Sequence, residues 1–361
     1  MTRKERFRNA LLLKEVDKLP HGEQMIHDAL VAKILKQDLP GDDGNALAKW
    51  MSESMSKENF ERHKKVREFL GFDYVQVFPM EPVKEIGVSE RGHRIVQDIW
   101  GSIQEISSES SSIIRKPIEN VEEIATYEFP DIDDFKFDNV KMWVDDASFF
   151  VAAQIDTGFF KIYQLVGFEE YCENIYFHKE QMHQLMEKFN AFQMRLIDRL
   201  VEIGVDCIWL SDDHAFNSGP FTSPSLLQEF DFDYMEKLVD YIHAKGLPVI
   251  LHSCGNLNLT IDRIVATGVN GLHAIQPSAH NDIYAYKKKY GKQICLIGNL
   301  DINQLLPNGS SYDIALKVKE MVENCFYDRT GFILTTCNLL NIDTPVENAI
   351  TMHMAAEIYG K

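Results

Sequence analysis

The sequence predicts an α/β protein of the (β/α)8 TIM-barrel class, a single domain over residues 1–361 with an N-terminal helical extension and an inserted β-hairpin or meander. Two observations carry that expectation. Short apolar runs alternate with amphipathic stretches of helical period and the chain ends on a helix, the rhythm of a parallel sheet wrapped by its crossover helices. Polar and nucleophilic residues then collect just past the carboxyl ends of the runs, where such a barrel builds its site. A doubly wound sheet is the rival, but no Gly-x-Gly-x-x-Gly or Walker-type loop follows any run, which removes its usual nucleotide chemistry.

Residues 3–14 have a helical pattern that Asp17-Lys18-Leu19-Pro20 breaks, and residues 19–25 read as the first strand. Helical spacing over 45–70 leads into a second strand at 74–79. Between 82 and 139 the pattern changes: residues 92–103 alternate like a hairpin and 107–114 continue in that style, so this segment is read as an inserted lid or meander. Strands at 149–156, 206–211, 248–252, 271–276, 294–298 and 332–336 complete eight. Helices at 178–203, 223–245, 260–266, 282–290, 311–326 and 345–359 separate and follow them, with Ser223-Pro224 as N-cap and first helical residue.

A hydrophobic content of 45% and a charged content of 25% over 361 residues suit one large barrel. Lys+Arg 37 against Asp+Glu 55 gives a net charge of -18, which disfavours nucleic acid and anionic lipid as partners. No run of eighteen apolar residues occurs, so no membrane span is expected and the chain reads as cytoplasmic. Six cysteines without a signal peptide do not form a disulfide framework, and Cys207 and Cys295 read as small core residues within strands.

The run Leu247-Pro248-Val249-Ile250-Leu251 ends in His252-Ser253-Cys254-Gly255. Two donors one residue apart in an extended backbone project to the same side and offer a ligand pair to one ion. Cys337, after the eighth strand, adds a second thiol. His252, Cys254 and Cys337 then make three ligands for zinc with a fourth position open, the arrangement of a catalytic site. The alternative is a capped strand end with a buried thiol. Asp213 and Asp156, at strand ends, are the candidate catalytic carboxylates, and Asp212, Gln276, Asn299, Phe160 and Phe216 are candidate substrate contacts. Capping of the following turn is the structural alternative for Asp212. His214 reads as solvent-facing and His273 as a core or wall residue. Trp209 reads as barrel packing, and the helical His178, His183, His243 and His353 have no assigned role.

Several stretches together resemble the uroporphyrinogen decarboxylase superfamily over nearly the whole chain. They are Thr2-Arg3-Lys4-Glu5-Arg6 leading to Asp17-Lys18-Leu19-Pro20, Gly167-Phe168-Glu169, Asp212-Asp213 with Gly219-Pro220-Phe221-Thr222-Ser223-Pro224, His252-Ser253-Cys254-Gly255-Asn256, Gln304-Leu305-Leu306-Pro307-Asn308-Gly309, and Asp343-Thr344-Pro345-Val346-Glu347-Asn348. The resemblance implies one of two activities. Decarboxylases of the superfamily need no metal, bind a tetrapyrrole through an arginine-rich amino-terminal segment, and lack the His-x-Cys pair; here Gly22-Glu23-Gln24-Met25 stands where that segment would fall. The zinc methyltransferase branch has His-x-Cys and a distant Cys, matching His252, Cys254 and Cys337. That branch implies methyl transfer between a small substrate, a methyl ether such as a methoxylated aromatic or a thiol, and the cobalt of a corrinoid. No Asp-x-His-x-x-Gly corrinoid segment occurs, so the corrinoid (cobalamin) is expected on a partner protein. A non-catalytic zinc-stabilised barrel is the third reading, and oligomer formation is left open.

Overall fold

Every strand of the ring is short and apolar, and each is set beside its sequence neighbour by at least one helix. In the computed structural model, which describes residues 1–38, 55–107 and 111–361, β1 (Tyr74–Val77) is followed by an antiparallel excursion of β2 (Lys84–Val88), β3 (Arg94–Gln97), β4 (Ile103–Ile106) and β5 (Ser111–Arg115). The chain returns as β6 (Phe150–Asp156), then β7 (Cys207–Ser211), a small hairpin of β8 (Ala215–Phe216) and β9 (Gly219–Pro220), β10 (Val249–Ser253), β11 (Gly271–Ala274), β12 (Cys295–Leu300) and β13 (Phe332–Thr336). β1, β6, β7, β10, β11, β12 and β13 form one parallel curled sheet in that order. β10, β12 and β13 are buried from end to end, as strands covered on both faces must be. Trp209 fills the interior, stacked on Tyr74 (5.9 Å between centroids) and edge-on to His273 (5.3 Å).

The eighth place in the ring is held by backbone contacts rather than a ladder. His21 bridges in parallel to Leu334; Leu334 N donates to Pro20 O (3.0 Å), Gly22 N to Leu334 O (3.2 Å), and Asp73 N to His21 O (2.9 Å). The strand expected over 19–25 is therefore reduced to a closing segment. Pro20 brings no donor, and Glu23 turns inward to accept from Thr335 Oγ1 (2.9 Å) and Thr336 N (3.2 Å) and Oγ1 (2.5 Å). Gly22 is required here, because a Cβ would lie 2.7 Å from the Tyr74 ring.

The expected helix at 223–245 is divided by a wide π turn, Gln228–Phe232, between Pro224–Leu227 and Asp233–Ala244. Of the expected 45–70 helix the structure describes Lys57–Leu70, and residues 45–54 lie outside the described residues, as do 108–110 of the meander. Short helices at Asp28–Leu35, Asp138–Asp146, Gly158–Val166 and Phe168–Phe177 were not anticipated. Gly167, at φ 95°, separates the last two, so one connection carries several helices. Among the described residues no helix is long and apolar enough to cross a membrane.

Candidate metal centre and its cavity

β10 delivers His252 to the carboxyl end of the ring, and Gly255 bends the chain beyond Cys254. A Cβ at 255 would lie 1.9 Å from Ala215 O, and φ is +78°, so only glycine lets the loop approach the β8–β9 hairpin this closely. His252 Nε2 is then 3.5 Å from Cys254 Sγ and 4.0 Å from Asp213 Oδ1, which itself accepts Cys254 N–H at 2.7 Å. The donor atoms of Asp213, His252 and Cys254 all lie within 4.8 Å of one another. Tetrahedral zinc, with bonds of about 2.0 Å to nitrogen and about 2.3 Å to sulfur, sets such donors about 3.6 Å apart. The His252–Cys254 separation fits that spacing.

The strand register supplies the support behind the ligand. His252 is paired with His273 on β11, and their Nδ1 atoms are 2.7 Å apart. His273 Nε2 lies 3.1 Å from Thr336 O, a carbonyl that can only accept. His273 therefore donates from Nε2 and accepts at Nδ1, His252 carries its proton on Nδ1, and His252 Nε2 is left as a bare lone pair toward Cys254 and Asp213. Burial lowers both imidazole pKa values, that of His273 well below the ordinary one, which keeps the pair neutral. Burial, with Asp213 and Cys337 adding to it, raises the Cys254 thiol, and burial pushes Cys337 up to about 12. Both thiols hold their protons unless a cation draws them off.

Cys337 does not join this cluster. It is 1% exposed, its thiol against the Ile302 backbone, and among the described residues it belongs to neither group of closely gathered donors. β10 and β13 stand three places apart in the sheet, so the two thiols come from different sides of the ring, near enough for Cys337 to act on Cys254 but not gathered with it. The neighbour of Cys337 reaches across instead: Asn338 Nδ2 donates to Cys254 Sγ at 3.6 Å.

Asp213, His252 and Asn338 line a cavity of about 590 Å³ together with Glu81, Trp100, Phe160 and Lys161, and Trp100 makes the inserted meander a wall of the site. Lys161 Nζ is 2.9 Å from Asp156 Oδ2, 3.6 Å from Glu81 Oε1 and 4.4 Å from the Trp100 ring centre, while Trp100 Nε1 donates to Glu81 Oε2 at 2.7 Å. Burial opposes the Lys161 charge, but Asp156 and Glu81 outweigh it and hold the ammonium above its ordinary pKa; burial raises Glu81 despite that neighbour. Asp98 accepts from Trp100 N (3.0 Å), Ser102 N (2.8 Å) and Gln104 Nε2 (2.6 Å), which fixes the turn that presents Trp100.

Of the expected substrate contacts, Phe160 lines this cavity, and the others face elsewhere. Asp212 is 1% exposed and away from the cavity: its carboxylate accepts from Thr157 Oγ1 and from Asp213 N (2.9 Å), and burial with Asp231 raises its pKa to about 6. Gln276 accepts from Gly255 N (3.2 Å) and donates to Ser278 Oγ (2.9 Å), holding the turn after β10. Asn299 is buried and donates to Ile275 O (2.8 Å). Phe216 is half exposed on β8 and packs on Phe221 at 4.3 Å. His214, expected in solvent, is buried between Asp231 (2.8 Å) and Asp212 (3.4 Å), because the π turn swings Asp231 inward. Lys161 went unnoticed in the sequence; its signal is a single cation in the apolar helix Gly158–Val166.

Comparison with known proteins supplies the family. The uroporphyrinogen decarboxylase family profile matches residues 99–359. The chain belongs to the uroporphyrinogen decarboxylase family. It is 26% identical over 202 residues to the methylcobamide:CoM methyltransferase MtbA of Methanosarcina acetivorans, covering 56% of each chain. It is 21% identical over 190 residues to uroporphyrinogen decarboxylase of Coxiella burnetii, covering 52% of this chain and 50% of that one. The chain thus spans about half the length of the curated relatives it matches. A solved methyltransferase from Methanosarcina mazei superposes with a TM-score of 0.76 over 99% of both chains at 18% identity, a likeness of fold. The curled parallel sheet wrapped by helices is the TIM-barrel-like fold that the sequence led one to expect.

Proposed function

We propose that this protein is a zinc-dependent methyltransferase that moves a methyl group between a small substrate and the cobalt of a separate corrinoid protein. The observation that carries the reading is the His252–Cys254 pair, its tautomer set by His273, beside a cavity large enough for a small organic molecule. The name of the Methanosarcina acetivorans relative, a methylcobamide:CoM methyltransferase, supports the choice of reaction.

His252 and Cys254 would hold the zinc with Asp213 the carboxylate at hand, and Cys337 would join them once the loop after β13 leans inward. Bound there, zinc supplies a Lewis acid that lowers the pKa of a thiol or polarises the oxygen of a methyl ether. Asp213 exchanges a proton with the substrate heteroatom, its own position fixed by Cys254 N–H. Asp156 acts through Lys161, holding the ammonium in the cavity beside the Trp100 ring. Phe160 and Trp100 exclude water from the transferring methyl. The corrinoid arrives on its partner at the open mouth.

The test has two parts. Metal analysis of the purified chain should find about one zinc per chain, lost in Cys254→Ser and in Cys337→Ser; full occupancy in either variant removes that residue from the ligand set. Incubation with a reduced corrinoid protein and a panel of methyl ethers, or with its methylated form and a panel of thiols, should change the cobalt spectrum. No change with any member of either panel ends the methyltransferase reading. Turnover of a porphyrinogen by chelator-treated protein would establish the metal-free decarboxylase reading instead.

A further inference from the structure

A second, smaller cavity of about 40 Å³ adjoins the large one, sharing Gln24, Met25 and Phe78 with it, and is bordered by Arg67 and Gln76. Arg67, on the helix Lys57–Leu70, is 4% exposed. Its Nη1 donates to His63 Nδ1 (2.9 Å) and His63 O (3.3 Å), and the guanidinium lies over the Trp143 ring at 5.3 Å, so its plane is fixed. Among the described residues its Nε has no hydrogen-bond partner and no carboxylate pairs with it within 4.0 Å. The acids that act on it through space are engaged elsewhere: Asp28 with His63 Nε2 at 2.5 Å, and Glu23 with Thr335 and Thr336. Gln76, on β1, is 5% exposed, and among the described residues both its amide atoms are without partners.

A buried cation with no acid beside it is costly, and a buried amide with no partner adds to that cost. Two such groups on one cavity are explained together by a ligand that satisfies both. With Nη1 spent on His63, the Nε–Nη2 edge remains, the fork that grips a planar carboxylate through two parallel bonds. A water needs about 10–15 Å³ on this scale, so the space admits a group of about three heavy atoms, a carboxylate rather than a larger tetrahedral oxyanion.

We infer that Arg67 and Gln76 form a subsite for the carboxylate of a small organic acid, reached through the large cavity past Gln24. The subsite stands on these unpaired groups alone; identifying that acid with the methyl-transfer substrate rests on the function proposed above.

Calorimetric titration of the full chain with acetate and propionate, against acetamide and propionamide, tests it. The carboxylates bind saturably and the amides do not. Arg67→Met, which keeps the packing over Trp143, weakens acetate binding about tenfold or more, and Arg67→Lys weakens it less. Gln76→Glu supplies the carboxylate from the chain itself, so it raises Tm and abolishes acetate binding. Equal binding of acetate and acetamide, or acetate binding unchanged in both Arg67→Met and Gln76→Glu, overturns the subsite. Equal methyl transfer from carboxylated and uncarboxylated donors overturns only the link to the substrate. Absence of any methyl transfer, with acetate binding as expected, overturns the proposed function and leaves the subsite standing.

Discussion

At the residue scale, the pairing of His252 with His273 decides the protonation state in which His252 would meet a metal ion. His273→Leu removes the acceptor at His252 Nδ1 and frees the ring to rotate and change tautomer, so zinc affinity should fall about 10–100-fold, measured by competition with a chromophoric chelator. Lys161→Met leaves two half-buried carboxylates, Asp156 and Glu81, without their cation and should lower stability in a urea melt, with Glu81→Gln recovering part of it. His21 carries a pH dependence. Burial lowers its pKa to about 4, with Glu357 opposing, against an unfolded value of about 6.5. Between those values the unfolded chain binds a proton that the folded chain does not, so His21 contributes less stability as pH falls. The Tm advantage of the parent over His21→Gln should therefore be larger at pH 8 than at pH 5.

At the scale of elements, the barrel order was legible because the buried strands are short apolar runs bounded by glycines and polar turns, and Val249–Ser253 is such a run in full. Residues 19–25 misled because a segment can occupy a strand's place with few ladder bonds when a buried carboxylate, Glu23, ties it to the neighbouring strand. His252 and Cys254 were legible as a local pair, since one backbone segment sets their distance. Cys337 was placed by its position after the eighth strand and by family resemblance; its thiol acts on that of Cys254 but lies outside the group formed by Asp213, His252 and Cys254. Asp212 and His214 were misread for a related reason: nothing local to residues 212–214 reveals that a π turn near residue 231 will bury a carboxylate against them. Gly255→Ala tests the local geometry. It forces Ala215 and Cys254 apart and should cost more than the about 1 kcal/mol of an ordinary strained alanine, with zinc content falling alongside stability.

At the scale of the whole molecule, the ring and its inserted meander divide the work. The ring sets the donors on the cavity, and the meander contributes Trp100 to its wall. Replacing residues 84–115 by a short linker should leave zinc bound while exposing the cavity, so metal content persists and methyl transfer to the corrinoid is lost. The closing segment has a further consequence. A clasp held by three rungs, flanked by proline, is where the circle breathes first: amide exchange at Gly22, Asp73 and Leu334 should outpace that of Leu251 and Leu296. Once that clasp slips, Glu23 leaves Thr335 and Thr336, and the strand end that precedes Cys337 loses its tether. On warming, a zinc ion held as proposed would then escape while most of the helices are still wound.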